Sequence, residues 1–276
     1  MRVIEKNKKR GLLMDKLRAE FKRVLNDTFG PRLNDGKCHY CGKDLNGNYC
    51  DCLKAKKINR YYKKVANKFD SFCIFLNDEE FAKHKSDLSS RTKIPAKYRG
   101  MDFEDFRTET PEQKKVYQFV NSYFKNAIQN FLIGKNMILT GNFGTGKTLF
   151  MSILANRLTS DFGFKVCYVN AVDLINEIKD SFNLTVKVTT KQVLDRYCNA
   201  DFLFIDDIDK LNPTEYVREL MYSIVNTRYE NEMAIVVSSN NPIEILDEKF
   251  FGEAVVSRIL ERSIEVQFNS KNARFE

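Results

Sequence analysis

The residues with the clearest chemical meaning lie in "GNFGTGKT", residues 141–148, directly after the apolar run "NMILT". Glycine lets the backbone turn its amides toward a bound anion, and a helix that starts here contributes its positive end. Lys147 would reach the β- and γ-phosphates of a nucleotide, and the Thr148 hydroxyl would join the coordination shell of Mg²⁺. The spacing is a complete Walker A motif and predicts an ATP site. The residues expected to contact the nucleotide are Gly141, Asn142, Phe143, Gly144, Thr145, Gly146, Lys147 and Thr148, together with Asp206.

Further polar residues stand at the ends of later apolar runs. "FLFIDD" ends in Asp206, which would hold Mg²⁺, and Asp207, which would orient the attacking water. Two helix-capping aspartates are the alternative, since Asp is favoured where a strand leads into a helix. Asn240, at the end of "AIVVSSN", would contact the γ-phosphate or the water, or else it forms a turn before Asn241 and Pro242. These parts indicate ATP hydrolysis rather than phosphate transfer to a small acceptor, because no arginine-rich lid segment is evident between the strands.

The elements that must position these residues alternate between helices and short strands from Pro111 onward. Continuously apolar strands separated by helices indicate a parallel sheet covered on both faces, and hence an α/β fold. Residues 86–110 show little periodicity and are predicted to be a linker between this domain, residues 111–276, and an N-terminal domain at 1–85. Strands are predicted at 136–140, 164–170, 201–206, 234–239 and 263–268, and helices at 111–131, 147–160, 171–182, 190–197, 213–230 and 251–260.

Four of the seven cysteines fall within fifteen residues near the N-terminus. Cys38-x-x-Cys41 followed by Cys50-x-Cys52 is typical of a structural zinc site in which four thiolates complete a tetrahedron. His39 could replace one of the thiolates, and a catalytic dithiol is a further alternative, although a thioredoxin-like context is missing. Helical patterns flank the cluster, so residues 1–85 are expected to form a small helical zinc-binding domain.

The charge and hydropathy of the chain limit its partners and its location. The net charge is +8, and basic residues are concentrated in residues 1–68, which favours an acidic partner, either protein or nucleic acid. No apolar stretch is long enough to cross a bilayer, and the first residues have no apolar core of signal-peptide length. We therefore expect a cytoplasmic protein without a membrane partner.

Three stretches carry a likeness to a known family. They are "NAVDLINEIKDSFN", "SSNNPIEIL" and "GEAVVSRILERSIEVQF", at residues 170–183, 238–246 and 252–268. With them, the chain from about residue 93 to its end resembles the bacterial replicative helicase loaders of the DnaC/DnaI type, which are AAA+ ATPases. The IstB-type transposition ATPases share much of this core. The resemblance implies a P-loop AAA+ parallel sheet sandwiched by helices.

The resemblance also assigns roles to single residues. Asn240 matches sensor 1, and Arg258 in "VVSRIL" matches the arginine finger, which reaches the ATP site of a neighbouring subunit. Such a guanidinium neutralises charge on the γ-phosphate and makes hydrolysis depend on assembly. With Asp207, these two residues form the predicted catalytic set. The alternative for Arg258 is a surface arginine paired with Glu253 or Glu261. Arg274 stands where similar proteins often carry a basic residue.

Single-stranded DNA is the second ligand that the resemblance implies. In the family, the helix after the second strand lines the DNA path, which points to Lys179 and Phe182. Thr214 and Tyr216, in "NPTEYVREL", match another DNA-contacting region. An aromatic ring can stack on a base, and a hydroxyl can bond a phosphate. The alternative is that Phe182 and Tyr216 face the core, and for Phe182 this alternative is the expectation.

These observations lead to a main hypothesis and two alternatives. The main hypothesis is a helicase loader that binds a DnaB-like helicase hexamer through its N-terminal domain, forms a homo-oligomer on ATP and delivers the helicase to single-stranded DNA, with hydrolysis driving release. The zinc cluster favours this hypothesis, since DnaI-like loaders dock onto the helicase through a zinc-bearing domain. The first alternative is an IstB-type transposition ATPase that assembles on duplex DNA. The second is a zinc-dependent nucleic-acid-binding protein that binds nucleotide without hydrolysing it.

Overall fold

A five-stranded parallel sheet organises the part of the chain that the structure describes. The computed structural model describes residues 92–182, 188–246 and 251–269. The strand order is β2-β3-β4-β1-β5, and every neighbouring pair is parallel. All five predicted strands are confirmed, with ends that differ by two residues or fewer. Their bounds are β1 Asn136–Gly141, β2 Val166–Asn170, β3 Phe202–Asp206, β4 Ala234–Ser239 and β5 Ser263–Phe268.

Helices join the strands and cover the sheet. The single helix predicted at 111–131 is divided at Asn126, whose side-chain amide donates to the carbonyl oxygen of Ser122 and ends the first helix. None of the helices in the described ranges is long and apolar enough to cross a membrane. The helices are α1 Pro111–Lys125, α2 Ala127–Ile133, α3 Lys147–Phe162, α4 Ala171–Asp180, α5 Thr190–Asn199, α6 Glu215–Glu230, α7 Ile243–Leu246 and α8 Glu253–Leu260, with 3₁₀ turns at Ala96–Tyr98, Phe103–Asp105 and Ile208–Lys210.

The burial of the strands explains their apolar sequences, and their parallel arrangement brings the polar residues at their ends together. Every residue of β3 and β4 is buried, as expected for inner strands with helices on both faces. Thr140 of β1 is in register with Ser239 of β4, and Ile205 of β3 is in register with Val237. Parallel strands end at the same edge of a sheet. The loop after β1 and the ends of β3 and β4 are therefore neighbours, although long stretches of sequence separate them.

The described part of the predicted linker, residues 92–110, packs against the helices of the sheet domain. Ile94, Phe103 and Phe106 are buried. The Phe106 ring lies 3.8 Å, centroid to centroid, from the ring of Phe150 on α3. The segment consists of 3₁₀ turns joined by extended chain, which have neither helical nor strand periodicity. This explains why its pattern did not indicate packing.

The buried side chain of Arg228 joins α6 to the end of α5 and to the start of β4. The residue is fully buried, and its guanidinium donates to the carbonyl oxygens of Tyr197, Ala200 and Ala234 at 2.8, 2.9 and 2.6 Å. Burial lowers the pKa of Arg228 to about 10. The carbonyls at the end of α5 and the start of β4 are thereby paired with α6, which holds this helix in one position on the sheet.

Replacing Phe106 with alanine tests whether residues 92–110 belong to the folded domain. We expect a loss of about 3 kcal/mol in the free energy of unfolding, because a buried ring is removed and a cavity remains. Phe119→Ala on α1 is the matched control, since Phe119 is 42% exposed, and it should cost less than about 1 kcal/mol. Urea denaturation measures both. Equal stability losses would contradict the packing of this segment.

Candidate nucleotide-binding site

The loop between β1 and α3 follows a path that requires glycine at two positions. Gly141 has a φ of 135°, and a Cβ there would lie 2.2 Å from the carbonyl oxygen of Phe268 on β5. Gly146 has a φ of 100°, and its Cβ would lie 3.2 Å from the ring of Phe106. The helix α3 begins immediately after Gly146. A tight glycine-rich turn into a helix N-terminus is the backbone geometry that binds phosphate.

The ammonium group of Lys147 is held at the centre of this loop. It donates to the carbonyl oxygens of Gly141 and Asn142 at 2.6 and 2.8 Å and to Oδ1 of Asn240 at 3.0 Å. Lys147 is only 5% exposed, and burial lowers its pKa, while the nearby carboxylates act in the opposite direction. The contact with Asn240 joins the loop after β1 to the end of β4. The structure thus brings together two of the predicted site residues.

Asp206 and Thr148, the predicted magnesium ligands, are also neighbours. The Thr148 hydroxyl donates to Oδ1 of Asp206 at 3.3 Å, the Tyr168 hydroxyl donates to Oδ2 at 2.9 Å, and Ser238 donates to Oδ1. Burial raises the pKa of Asp206, and the adjacent Asp207 adds to this effect. A buried carboxylate beside a hydroxyl, both hard oxygen donors, fits Mg²⁺. These two side chains are the ones that would hold the ion.

Asp207 and Asn240 belong to a second polar group at the same edge. Asp207 has a φ of 56°, in the left-handed region that is uncommon for residues other than glycine, and its backbone N–H donates to Ser238 Oγ at 2.8 Å. Its carboxylate pairs with Lys210 and accepts from Asn240 Nδ2 at 3.4 Å. Asp207 makes no side-chain cap on the following 3₁₀ turn, so the alternative of a helix cap is wrong for this residue.

Sequence reasoning missed several residues at this site. Asp209 accepts from the backbone N–H of Asn240 at 3.0 Å and from its Nδ2 at 3.2 Å, which orients the Asn240 amide. The sequence contained a signal for Asp209, which is the third acidic residue in "DDID". Tyr98, held by Asn156 Nδ2 donating to its carbonyl at 3.0 Å, was missed because it lies in the predicted linker. A cavity of about 260 Å³ is lined by residues 143–149 of the loop and α3, and by Tyr98, Asp207, Lys210 and Asn240.

Arg258 lies on a different surface from this cavity. Its guanidinium donates to Oδ1 of Asn226 at 2.8 Å and to the Tyr222 hydroxyl at 3.3 Å, and it is not among the residues that line the cavity. Within the described ranges it forms no ion pair with Glu253 or Glu261, so the predicted alternative of a salt bridge with one of these acids is wrong. Arg258 therefore does not take part in the nucleotide site of its own chain.

The four residues predicted to contact DNA lie on α4, on α6 or next to them. The expectation that Phe182 faces the core is wrong: it is 57% exposed, and Tyr216 is 36% exposed. Their rings form an edge-to-face pair with centroids 6.3 Å apart. Thr214 caps α6 by accepting from the backbone N–H of Val217, and Lys179 lies in the last turn of α4. Two chain segments thus present one exposed aromatic pair.

Two predicted features fall outside the described residues. The first is the helical N-terminal domain at residues 1–85 with the zinc site of Cys38, Cys41, Cys50 and Cys52, and the second is Arg274. Both stay predictions.

The strand order, the glycine-rich loop at the start of α3 and the acidic end of β3 define an ATP-binding P-loop domain of the AAA+ class. The chain matches the family described as "IstB-like ATP binding protein" over residues 59–275, and it belongs to that family.

Similar proteins include a protein of a phage-like element and helicase loaders. The "Phage-like element PBSX protein XkdC" of Bacillus subtilis (strain 168) is 29% identical over 235 residues, which is 82% of this chain and 84% of that protein. The "Replicative helicase loader DnaC" of Buchnera aphidicola subsp. Baizongia pistaciae is 30% identical over 183 residues, or 66% of this chain and 72% of that one. A crystal structure of the DnaC helicase loader superposes with a TM-score of 0.56 at 20% identity, over 63% of this chain and 99% of that one. That structural likeness shows the shared fold.

Replacing Asp206 with asparagine tests the cost of the buried carboxylate. Because the folded-state pKa is raised, the folded protein binds more protons than the unfolded chain between the two pKa values, and the contribution of Asp206 to stability falls as pH rises through that window. Without nucleotide, Asp206→Asn should therefore be at least as stable as the wild type at neutral pH, while it loses the part of ATP affinity that depends on Mg²⁺. Urea denaturation and ATP titrations with and without Mg²⁺ measure the two effects.

Asp195→Asn, at an exposed position inside α5, is the control for removing a carboxylate and should change neither quantity. A clear loss of stability in Asp206→Asn, with Mg²⁺ dependence retained, would contradict the role given to Asp206.

Proposed function

We propose that this protein is an ATP-driven assembly switch that loads a replicative helicase onto single-stranded DNA. The observation that carries the proposal is the division of the hydrolytic residues between two surfaces. The cavity of one chain is lined by Lys147, Thr148, Asp207 and Asn240, and Thr148 bonds to Asp206 behind it. Arg258 lies on another surface. A second copy is then needed to complete the site, so ATP is hydrolysed only when copies of the protein assemble. The family and the DnaC relatives support a role in the initiation of replication.

The residues of the nucleotide site have separate roles in hydrolysis. Lys147 and the loop amides bind the phosphates, and Thr148 and Asp206 hold Mg²⁺, which neutralises phosphate charge when it is bound. Asp207 orients the attacking water. Asn240, fixed by Asp209 and bonded to both Lys147 and Asp207, connects the phosphate-binding lysine with the residue that orients the water. This connection gives Asn240 the position of a sensor of the γ-phosphate.

Arg258 completes the site of a neighbouring copy. A guanidinium carries a permanent charge and a planar set of donors that matches phosphate oxygens. Supplied from another subunit, it neutralises charge on the γ-phosphate and accelerates hydrolysis only in the assembled state. Hydrolysis then causes the copies to dissociate and releases the loader from the helicase.

The exposed pair of Phe182 and Tyr216 supports binding of single-stranded DNA. In this edge-to-face pair the exposed ring surface is available for unpaired bases to stack on. Lys179 supplies a positive charge for the phosphate backbone. Thr214 already accepts a backbone N–H as a helix cap, and its hydroxyl can donate to a phosphate oxygen at the same time.

The N-terminal residues are proposed to carry the helicase-binding function. The spacing of Cys38, Cys41, Cys50 and Cys52 supports a structural zinc ion, and basic residues surround this cluster in the sequence. A DnaB-like helicase hexamer is the proposed partner. A second candidate function, an IstB-type transposition ATPase that assembles on duplex DNA, is favoured by the description of the matched family.

Lys147→Ala tests the switch. Loss of charge-assisted hydrogen bonds to phosphate should weaken ATP binding by about 10- to 100-fold and abolish both ATPase activity and ATP-dependent DNA binding. Retention of the cognate replicative helicase in a pull-down should be unchanged, since the N-terminal region makes that contact. Lys191→Ala, at an exposed position on α5, is the control. If the wild-type protein retains no helicase with or without ATP, the loader assignment is wrong.

Phe182→Ala and Tyr216→Ala test the DNA surface. Each should weaken ATP-dependent binding of single-stranded DNA by about 1–3 kcal/mol, the usual value of a base-stacking contact. Phe119→Ala, an exposed phenylalanine on α1, should have no effect. Fluorescence anisotropy with single-stranded and duplex oligonucleotides measures the change. Preferential assembly of the wild type on duplex DNA would favour the transposition ATPase instead.

A further inference from the structure

The exposed face of α6 carries three side chains that surround Arg258. Tyr222, Asn226 and Tyr229 stand at positions i, i+4 and i+7 of the helix and share one face. The guanidinium carbon of Arg258, which comes from α8, lies 5.0 Å from the centroid of the Tyr222 ring and 5.8 Å from that of Tyr229. Both distances are within the range of cation–π attraction.

The hydrogen bonds of Arg258 leave a specific part of its guanidinium available. Nε donates to Oδ1 of Asn226 at 2.8 Å, Nη1 donates to the carbonyl oxygen of Ala254 at 2.6 Å, and Nη2 donates to the Tyr222 hydroxyl at 3.3 Å. A guanidinium has five N–H donors. Within the described residues three are used, and one N–H remains on each terminal nitrogen. One donor on each terminal nitrogen is what a bidentate contact with a phosphate needs.

The amide of Asn226 is itself oriented. Its Nδ2 donates to Oε1 of Glu230, one turn further along α6, at 3.0 Å. This bond turns Oδ1 toward Arg258, so Asn226 presents an acceptor rather than a donor to the guanidinium. A neutral acceptor fixes the direction of the side chain without cancelling its charge.

The helix that carries these residues is firmly attached to the sheet. Ile224 and Val225 are buried, and the fully buried Arg228 bonds to carbonyls at the end of α5 and the start of β4. These residues alternate along α6 with the ones that contact Arg258. The exposed face of the helix therefore cannot shift without breaking internal hydrogen bonds.

We infer that Asn226 and Tyr222 are positioning residues that aim the guanidinium of Arg258 at the nucleotide of a neighbouring copy. The inference rests on the proposed function, because it assumes that Arg258 acts in trans. Asn226 holds Nε, the Tyr222 ring and hydroxyl hold one terminal nitrogen, and the free N–H groups are left to contact the γ-phosphate oxygens. The surface formed by Tyr222, Asn226 and Arg258 is thus the donor side of the interface between two copies.

The first test measures ATPase activity of full-length variants with single-stranded DNA present. Asn226→Ala should lower kcat about tenfold or more, since misplacement of a contributing group by about 1 Å can cost up to 100-fold, while KM for ATP stays within about twofold because the binding residues are untouched. Tyr222→Phe, which keeps the ring, should retain more activity than Tyr222→Ala. Arg258→Ala is the reference for complete loss of the donor, and Lys191→Ala, exposed on α5, is the control.

A second variant separates positioning from stability. Asn226→Asp keeps an acceptor for Nε and forms an ion pair with Arg258, while it loses the N–H that donates to Glu230. If this variant is as stable as the wild type, a purely structural role predicts unchanged activity. We expect kcat to fall, because the added negative charge holds the guanidinium back and cancels its charge at the phosphate. Thermal unfolding should show a folded protein for both Asn226 variants.

Mixing experiments identify the side of the interface that is affected. Asp207→Asn has an inactive nucleotide site but an intact donor surface, whereas Asn226→Ala has the reverse. Mixed together, the two should recover a substantial fraction of wild-type activity, as should Asp207→Asn mixed with Arg258→Ala. If both Asn226 variants have a normal kcat while Arg258→Ala is inactive, the positioning role is wrong but the trans mechanism stands. The same holds if Asn226→Ala is inactive and the mixture does not rescue it. Normal kcat in Arg258→Ala would overturn the proposed trans mechanism itself.

Discussion

A single buried carboxylate, that of Asp206 at the end of β3, connects the elements that make up the nucleotide site. Tyr168 on β2, Ser238 on β4 and Thr148 on α3 all donate hydrogen bonds to it. Burial makes the charged form of this group costly, and the three hydroxyls offset only part of that cost. The site is therefore preorganised around a group whose charge is satisfied best when a cation is bound beside it. The arrangement of the strand ends at this edge therefore determines which groups can hold the cation.

The second constraint is that Arg258 does not line the cavity at this edge. The parallel sheet brings the ends of β1, β3 and β4 together, but Arg258 projects from α8 onto the outer face of α6. One helix thus serves several tasks: Tyr216 stands at its start, Tyr222 and Asn226 occupy its exposed face, and Arg228 anchors it. A change in the position of α6 would move the proposed DNA surface and the proposed donor surface together.

Much of the architecture followed from local patterns. The continuously apolar runs predicted all five strands, and the spacing of glycine, lysine and threonine predicted the loop, because short buried strands and phosphate-binding turns each demand particular residue types at fixed intervals. The role of residues 92–110 could not be predicted in this way. Phe106 packs on Phe150 from a segment of 3₁₀ turns, and such segments have no periodicity to detect. The partners of Arg258 were also misjudged, because the acids near it in sequence are not the groups near it in space.

The class of site could be predicted from local spacing alone. Gly141, Lys147 and Thr148 follow one apolar strand and Asp206 ends another, and this arrangement is specific to nucleotide phosphate binding. The order of the five strands along the chain could be predicted as well, and so could the order of the helices apart from the break at Asn126 and the short helix α7. The contacts between these elements could not be predicted in this way. They include the bonds of Asn240 to Lys147 and Asp207, the exposed pair of Phe182 and Tyr216, and the position of Arg258 outside the cavity. These outcomes depend on how parallel strands are ordered and how helices cross them. Contacts between residues far apart in the chain have no local signature, so only the folded protein reveals them.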